Sequence, residues 1–316
     1  MYPEYIAPYD VVKDASAIYA LWQSVLGDVW PLDEARFQHI LAHSHSQHFV
    51  AYEDEQPVGC IVTALERKAG TLTGTISALF VASHVQRKGI GSALYTTARQ
   101  HFRRVGAESV RLGGGEVRLW AGVPQNLPGA TSFFQKHGWK FSHVCYDLTQ
   151  HMQTYTTPPT VYHRMATEGI RFELATPEQA DEVCAFEQRE FPQWLDAFQG
   201  IIELGDYHDL LLARDHTGKI IGSLILYTSQ SHPAREDVLW SALLGSNAGA
   251  LGCVGIAEAE RGRGVGLALV ARASEILKER GVEICYVHWV VLTDFYGKLG
   301  YIVWRGYEMC VPGGGP

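Results

Sequence analysis

Two short stretches, VQRKGIGSALY at residues 85–95 and ERGRGVGLALV at residues 260–270, are near copies of each other. Both follow an apolar run and open a helical pattern. Three positions recur after 175 residues: Gln86 as Arg261, Gly89 as Gly264 and Gly91 as Gly266. A constant offset indicates a duplicated domain, and a chain of 316 residues is long enough to form two hydrophobic cores.

The element order repeats as well. Apolar periodicity predicts β, α, α, β, β, β, glycine loop, α, β, α, β in each half, with the first helix expected over residues 14–26. Residues 151–169 are rich in Thr and Pro and follow neither period, which predicts a linker. We therefore expect an α/β (α+β) protein with two domains, residues 1–150 and 170–316.

Composition excludes several classes of function. The net charge of -8 disfavours a nucleic-acid partner, because binding to polyanions needs clustered Lys and Arg. The N-terminus has no basic stretch followed by an apolar core, and no run of 18 apolar residues occurs, so we expect a cytoplasmic protein without a membrane partner. The pattern leaves the oligomeric state open.

The cysteines and histidines do not suggest a metal site. The six cysteines form no Cys-x-x-Cys pair and lie mostly in apolar, strand-like stretches, which is typical of reduced core thiols. The densest histidine cluster, HSHSQH at residues 43–48, has a spacing that matches no standard zinc pattern. We expect no metal.

The glycine loops are suited to binding an anion. A helix N-terminus presents unpaired backbone N–H groups, and glycine lets a bulky phosphate approach them. Glycine can equally serve tight packing of a helix on a strand. The loops lack the Gly-Lys-Ser/Thr of a Walker motif. The element order also disfavours a dinucleotide-binding fold, because there the strand before the loop leads the fold, whereas here three strands and two helices come first.

With these loops, the sequence resembles the GNAT acetyltransferase superfamily in tandem. LFVASHVQRKGIG and CVGIAEAERGRGVG match its Arg/Gln-x-x-Gly-x-Gly/Ala motif, and FFQKHGW and FYGKLGY match its terminal Phe-Tyr-x-x-x-Gly-Phe/Tyr signature. The resemblance implies two domains, each a mixed, centrally splayed β-sheet flanked by helices, and acetyl-CoA as cofactor. In the family, the backbone of a strand pairs with the pantetheine arm and the amides of the loop hold the pyrophosphate. The resemblance implies these roles for Leu79, Phe80, Val81, Gln86, Arg87, Lys88, Gly89, Ile90 and Gly91 in the first half, and for Val254, Gly255, Ile256, Arg261, Gly262, Arg263, Gly264, Val265 and Gly266 in the second.

The resemblance also implies a catalytic tyrosine. Acetyl transfer to an amine expels a thiolate, which a phenol can protonate as a general acid. Aligning the terminal signatures places Phe134 on Tyr296, so only the second half has the hydroxyl. A core aromatic is the alternative for Tyr296.

The attacking amine must lose a proton, so a base is expected near the acceptor. The candidate is His288, on the strand before Tyr296, although a core histidine is an equal alternative; Glu258 and Asp294 are weaker candidates.

The first half differs in its loop. Gln86 and Phe134 are 48 positions apart, whereas Arg261 and Tyr296 are 35 apart. The extra residues, within 113–128, predict an ordered lid, an interdomain contact or a tolerated insertion. Asn126 lies where the family often places an asparagine that faces the cofactor. This half is expected to bind acyl-CoA without turnover or to shape the acceptor site.

The sequence thus predicts an N-acetyltransferase that acts mainly through its second half on the primary amine of a small molecule. The layout resembles bacterial enzymes that acetylate glucosamine or glucosaminides in cell-wall recycling. Mycothiol-synthase-like, aminoglycoside and protein-lysine acetylation remain alternatives. A non-catalytic acyl-CoA-binding regulatory module is the alternative from another class, and it would not need the phenol of Tyr296.

Overall fold

The computed structural model describes residues 3–42, 46–68, 70–115, 119–127, 129–235 and 238–311. The chain forms two compact units. The first contains the described residues up to Cys145 together with those from Arg305 onward, and the second contains Tyr146–Trp304.

The first unit is built on a five-stranded sheet. Its elements in chain order are β1 (Tyr5–Pro8), α1 (Val11–Leu26), α2 (Glu34–Leu41), β2 (Phe49–Glu53), β3 (Gln56–Lys68), β4 (Thr71–Val81), α3 (Ile90–Arg104), β5 (Ser109–Leu112), β6 (Val123–Pro124), α4 (Ala130–Lys136) and the start of β7 (Phe141–His151). The sheet has the strand order β1-β2-β3-β4-β5 and is antiparallel except for the parallel pair β4 and β5.

The second unit follows the same order after α5 (His163–Thr167), except that a short helix is added before its fourth strand and its described residues show no strand that corresponds to β6. Its elements are β8 (Arg171–Leu174), α6 (Ala180–Glu190), α7 (Leu195–Glu203), β9 (Leu210–Arg214), β10 (Ile220–Tyr227), α8 (Ser241–Leu244), β11 (Ala248–Ile256), α9 (Val265–Glu279), β12 (Ile284–Val290), α10 (Thr293–Gly297) and the start of β13 (Ile302–Cys310). The sheet order is β7-β12-β11-β10-β9-β8, with β11 and β12 parallel. Both sheets are mixed and carry helices, as the sequence predicts.

The later part of the last strand of each half belongs to the other unit. Residues 146–151 of β7 pair antiparallel with β12, inside the second unit. Tyr307 and Glu308 of β13 pair with β6, inside the first. The compact units therefore differ from the sequence halves at residues 146–150 and from residue 305 onward. The strand pattern locates each strand, but it does not identify the edge with which the strand pairs.

The segment expected as a linker, residues 151–169, is part of the second unit. It contains α5, and Met152, Tyr155 and Met165 are buried in the core that also holds α9. Their spacing is too irregular to produce a recognisable period, which is why the pattern indicated a linker.

The first helix begins earlier than the expected residue 14. α1 starts at Val11 because Asp10 caps it, accepting hydrogen bonds from the backbone of Val12 and Lys13. Asp14 is instead buried and accepts a 2.6 Å hydrogen bond from the Tyr52 hydroxyl. Asp14 also accepts a 2.9 Å hydrogen bond from the backbone of Asp10, so the first predicted position lies inside the first turn of α1.

Candidate active site

The sheet of the second unit splays open between β11 and β12. The two strands are paired only where residues 248–250 face residues 284–286; beyond that point β11 pairs with β10 alone, with a shift of register between Gly252 and Gly255. Cys253 and Trp289 interrupt the two strands with positive φ angles of 50° and 60°. The edge of β11 facing the gap can therefore accept an extended chain as an added strand. Residues 254–256, expected at the cofactor, form the end of this edge.

The sheet of the first unit splays open in the same way, between β4 and β5. Residues 73–76 of β4 pair with residues 109–112 of β5, and β4 then continues to Val81 while β5 ends at Leu112. Leu79, Phe80 and Val81 form the end of β4, as residues 254–256 form the end of β11.

Both glycine loops have the same backbone. Gly89 and Gly264 are the N-terminal caps of α3 and α9, with φ angles of 90° and 87° in the left-handed region, and neither helix has a side-chain cap. The first amides of each helix are thus left to an outside acceptor. Ile90 and Val265, the first residues of the two helices, are buried beneath the loop.

The second glycine of each loop faces an aromatic ring. A Cβ on Gly91 would lie 3.4 Å from the Phe133 ring, and one on Gly266 would lie 3.6 Å from the Phe295 ring, which are ordinary contact distances. Only the 3.3 Å approach of a Cβ on Gly266 to Ile256 would be tight. The first glycine of each pair, with its left-handed φ angle, makes the turn.

The loop side chains mostly bind the protein itself. Gln86 donates a 2.9 Å hydrogen bond to the carbonyl of Val81, and Arg261 donates a 3.1 Å bond to the carbonyl of Ile256. Each tethers its loop to the end of the preceding strand. Arg263 forms ion pairs with Glu260 and Glu168. The other loop residues, Arg87 and Gly262, have positive φ angles of 63° and 76°, and Lys88 is exposed.

Asn126 of the first unit has an unsatisfied side chain. Both amide atoms are buried, and within the described residues neither has a hydrogen-bond partner. A buried, unpaired amide is costly to a fold unless something else satisfies it.

Tyr296 lies on α10 with only 8% of its surface exposed. Its ring is perpendicular to that of Phe295, with centroids 5.0 Å apart, and Phe133 and Phe134 of α4 have the same arrangement at 5.2 Å. Burial raises the pKa of the Tyr296 phenol above its usual value, and the thiols of Cys285 and Cys253 raise it further. The phenol therefore stays protonated at neutral pH and is available as an acid.

His288 reaches across the splay. Its ring stacks on Tyr286 with centroids 5.9 Å apart, and a Cβ on Gly252 of β11 would lie 3.8 Å from its Nε2 atom. The imidazole thus lies between the two diverging strands. Asp294 and Glu258 are the weaker candidates for the base. Asp294 lies in the first turn of α10, and the backbone N–H of Glu258 donates a hydrogen bond to Glu190.

Asp147 is a site residue that the sequence pattern missed. Its buried carboxylate accepts a 2.6 Å hydrogen bond from the Tyr286 hydroxyl and a 3.0 Å bond from the backbone of Trp289. It therefore fixes the irregular end of β12 beside His288. No local signal could have identified it, because it lies in the first half of the sequence and reaches β12 only through the exchanged strand.

Glu187 on α6 was also missed. It is completely buried, and Ser223 of β10 donates a 2.5 Å hydrogen bond to its Oε1 atom. Here a signal existed: Val183, Phe186 and Glu187 stand at i, i+3 and i+4 of the buried face, so a charged residue occupies an apolar position.

The corresponding face of the first unit is filled with indoles. Trp120 stacks on Trp22 with centroids 5.8 Å apart and meets Trp30 at 5.6 Å, while Trp22 lies edge-on to Phe80 of β4. Residues 119–123 of the longer loop are thus part of the core of the first unit.

In the described residues, no helix is long and apolar enough to cross a membrane, and no group of three or more His, Cys, Asp or Glu side chains could hold a metal ion. Of the histidine cluster, residues 43–45 lie outside the described residues. No disulfide joins any of the six cysteines.

The model of the acetyltransferase (GNAT) family matches the chain in two regions, residues 15–139 and residues 173–301. The chain belongs to the GNAT acetyltransferase family. It is accordingly an acyltransferase with the family fold in tandem. GNAT proteins generally use acetyl-CoA and act on the amines of small molecules or proteins.

Solved structures agree with this family assignment. A glucosamine N-acetyltransferase region of a fungal multi-domain GH3 β-N-acetylglucosaminidase is 36% identical over 97% of this chain, with a TM-score of 0.91. The chain spans only 38% of that fungal chain. No curated protein matches the chain.

Two more distant structures show the fold alone. A GCN5-related N-acetyltransferase from Sphaerobacter thermophilus is 18% identical with a TM-score of 0.68, covering 100% of this chain and 98% of its own. A tandem GNAT protein from the clavulanic acid biosynthesis pathway is 14% identical with a TM-score of 0.63, covering 99% of both chains.

Proposed function

We propose that the second unit transfers an acetyl group from acetyl-CoA to the primary amine of an amino sugar, glucosamine or a glucosaminide. The observation that carries this proposal is the asymmetry between Tyr296 and Phe134. The two residues lie in matching aromatic pairs beside matching splayed strands, and only the second unit has a hydroxyl there.

The residues of the second unit fit acetyl-CoA. The edge of residues 254–256 is the proposed partner of the pantetheine arm, and the loop amides of residues 261–266 are the proposed pyrophosphate site. The left-handed Gly264, with no side-chain cap on α9, leaves those amides open to an anion. Acetyl-CoA would supply a thioester whose sulfur leaves as a thiolate.

The proposed chemistry needs an acid and a place for the amine. The Tyr296 phenol gives its proton to the leaving sulfur. Its raised pKa means that the phenol is protonated at neutral pH and has this proton to give. His288 is proposed to meet the acceptor amine inside the splay, directly or through a water. Asp147 holds the strand end from which His288 projects.

An amino-sugar acceptor is supported by two observations. The fungal relative at 36% identity is described as a glucosamine N-acetyltransferase region. In addition, Phe191 at the end of α6 and Trp194 at the start of α7 form a stacked pair with centroids 5.1 Å apart, and Phe191 packs against β11. An indole beside the site gives the apolar face of a sugar a surface on which to stack.

The first unit is proposed to bind acyl-CoA without turning it over. It keeps the left-handed Gly89 and the open amides of α3, and Asn126 offers an unpaired amide. However, Phe134 has no hydroxyl, and Trp22, Trp30 and Trp120 fill the face on which an acceptor would lie.

The test is release of CoA thiol from acetyl-CoA in the presence of a panel of amines. The panel contains glucosamine, a glucosaminide disaccharide, an aminoglycoside, a cysteine-linked amino-sugar glycoside and a lysine peptide. We expect turnover with the first two. Turnover only with another amine of the panel would identify that amine as the acceptor in place of an amino sugar. Binding of acetyl-CoA without turnover of any amine would favour a non-catalytic module.

A further inference from the structure

One extra residue interrupts β12 where this strand lines the splay. Residues 287–290 of β12 lie opposite residues 146–148 of β7, so three steps along one strand match two steps along the other. This mismatch is a β-bulge, and the residues inside it are His288 and Trp289. The backbone of Trp289 has a φ angle of 60°, in the left-handed region that strains a residue with a side chain.

The bulge turns His288 and Trp289 toward the same face of the sheet. Cys285, Val287 and Val290 all belong to the core that contains α9. In a regular strand residues three apart face opposite sides, and the extra residue is what brings Val287 and Val290 to the same side. The rings of His288 and Trp289 are half-buried and meet edge-on, with centroids 5.7 Å apart. They therefore lie together on the other face, which carries α6 and α7.

Asp147 fixes this bulge from the neighbouring strand. Its carboxylate accepts a 3.0 Å hydrogen bond from the backbone N–H of Trp289 and a 2.6 Å bond from the hydroxyl of Tyr286. Tyr286 in turn stacks on His288, with centroids 5.9 Å apart. The carboxylate is completely buried, where such bonds are stronger than they are in water. One side chain thus positions both rings of the bulge.

Packing alone does not account for the placement of the indole. Without the extra residue, the alternation of the strand would turn Trp289 into the core that contains α9. The bulge instead leaves the indole half-buried next to the imidazole of His288. Bulges beside active sites re-aim a side chain in this way. An accessible indole at a strained backbone position indicates a function in binding.

The indole of Trp289 lies beside the residue proposed to meet the amine. The Nε2 atom of His288 is 3.8 Å from the point where Gly252 would carry a Cβ, at the start of the splay. Trp194 stacks on a ring that packs instead against Gly255, in the stretch proposed for the pantetheine arm. Of these two indoles, Trp289 is therefore the one on the acceptor side.

We propose that Trp289 is the surface on which the ring of the amino-sugar acceptor lies, and that Asp147 is the residue that positions it. This inference rests on the proposed function of the second unit. The face of an indole carries a negative quadrupole, so it attracts the C–H groups on one side of a sugar ring. With the sugar held against Trp289, its amine lies next to His288. The contact holds the sugar and not the reacting atoms, so it sets the affinity for the acceptor.

The test measures KM and kcat for glucosamine, KM for acetyl-CoA, and inhibition by the product N-acetylglucosamine, which keeps the sugar ring and has no ammonium. In Trp289→Ala we expect KM for glucosamine and the inhibition constant of the product to rise together, by about 10-fold. The values of kcat and of KM for acetyl-CoA should stay within about twofold of the wild type. Trp289→Phe keeps an aromatic face and should show a smaller rise. Trp194→Ala is the comparison variant, because it removes the other indole.

The role of Asp147 is tested by a pair of variants. Asp147→Asn can still accept from the backbone of Trp289 while its amide donates to the Tyr286 hydroxyl, so the bulge and KM for glucosamine should persist. Asp147→Ala loses both bonds. It should raise KM for glucosamine as Trp289→Ala does, and it should also lower kcat, since His288 moves with the bulge. Equal KM values in the two Asp147 variants would overturn the positioning role.

Other outcomes would overturn the role of the indole. An unchanged KM for glucosamine in Trp289→Ala, or a rise only in Trp194→Ala, would place the sugar elsewhere. A raised KM without a raised inhibition constant would mean that the indole acts on the ammonium and not on the ring. If Trp289→Ala does not fold, Trp289→Gly decides in the same way, because glycine adopts a left-handed φ angle without strain. Failure of the proposed function is distinct, since the wild type would then release no thiol with an amino sugar, and the inference would fall with it.

Discussion

Phe191 occupies the space in which Gly255 would carry a side chain: a Cβ there would lie 2.8 Å from Cδ2 of the ring and closer still to Cε2. Real Cβ atoms do not approach a ring so closely. The glycine therefore lets the end of α6 lie directly on the splayed edge of β11. It also ties the aromatic pair of Phe191 and Trp194 to the strand proposed to hold the pantetheine arm.

Gly255→Ala should accordingly displace either the ring or the strand. We expect a loss of about 1 to 3 kcal/mol of stability from overpacking, together with weaker binding of acetyl-CoA. The matched control is Gly252→Ala on the same strand, where the new Cβ would be at an ordinary 3.8 Å from His288. Denaturant unfolding and calorimetry measure both effects. Equal stabilities of the two variants would contradict the packing argument.

The glycine loop can be tested without confusing strain with binding. Gly264 and Gly281 both have left-handed φ angles, 87° and 81°, at the two ends of α9, and only Gly264 lies in the loop. Alanine at either position should cost about 1 kcal/mol of backbone strain. Only Gly264→Ala should also weaken acetyl-CoA binding, because its Cβ obstructs the approach to the helix amides. Calorimetry that finds equal affinity in both variants would remove the pyrophosphate from this loop.

Much of this architecture could be predicted from the sequence, because the signals were local. Gly89 and Gly264 make the same turn, and a glycine at a helix start is visible in the letters. Asp147 could not be found in this way, since it joins β12 through a strand from the other half of the chain. For the loop that carries Trp120 the sequence predicts only a lid, an interdomain contact or a tolerated insertion, because a stretch rich in glycine and proline shows no period, although the indole is core. Pairing partners and burial are properties of the folded chain.

Tyr296→Phe converts the second unit to the arrangement that Phe134 gives the first. We expect kcat to fall by about 10²- to 10⁴-fold with little change in affinity for acetyl-CoA, as for loss of a general acid. Tyr301→Phe is the control, because that hydroxyl bonds Ser274 at 2.8 Å within the same core and should affect stability only.

The raised pKa of the Tyr296 phenol also predicts how kcat depends on pH. Since burial raises the pKa of Tyr296, the wild-type kcat should show no alkaline fall up to about pH 10, the usual value for tyrosine. A fall near pH 9 in the wild type that is absent from Tyr296→Phe would mean that the phenol ionises too easily for this environment. Acceptors whose amine pKa values differ by about one unit separate enzyme titration from that of the amine itself.

The carboxyl of Glu187 should leave a signature in stability that does not depend on catalysis. Its pKa rises from 4.5 to about 7 on folding, so the folded chain holds this proton more tightly than the unfolded chain does. Below the unfolded value both states are protonated and burial of the neutral acid is tolerated. As the pH rises through about 7, the carboxyl of the folded protein ionises without water around it. The free energy of unfolding therefore falls, by about 3 kcal/mol for a pKa shift of this size.

Glu187→Gln cannot ionise, so its stability relative to wild type should increase between about pH 5 and pH 8 by up to that amount. Denaturant unfolding of both proteins across this range measures the difference, in which the titration of all other groups cancels. In the control Glu190→Gln the removed group has a pKa lowered by Arg189, so its effect is confined to acid pH and the difference should be flat. A flat difference for Glu187→Gln as well would mean that water reaches the carboxyl, and that Glu187 ionises in the folded protein as it does in the unfolded chain.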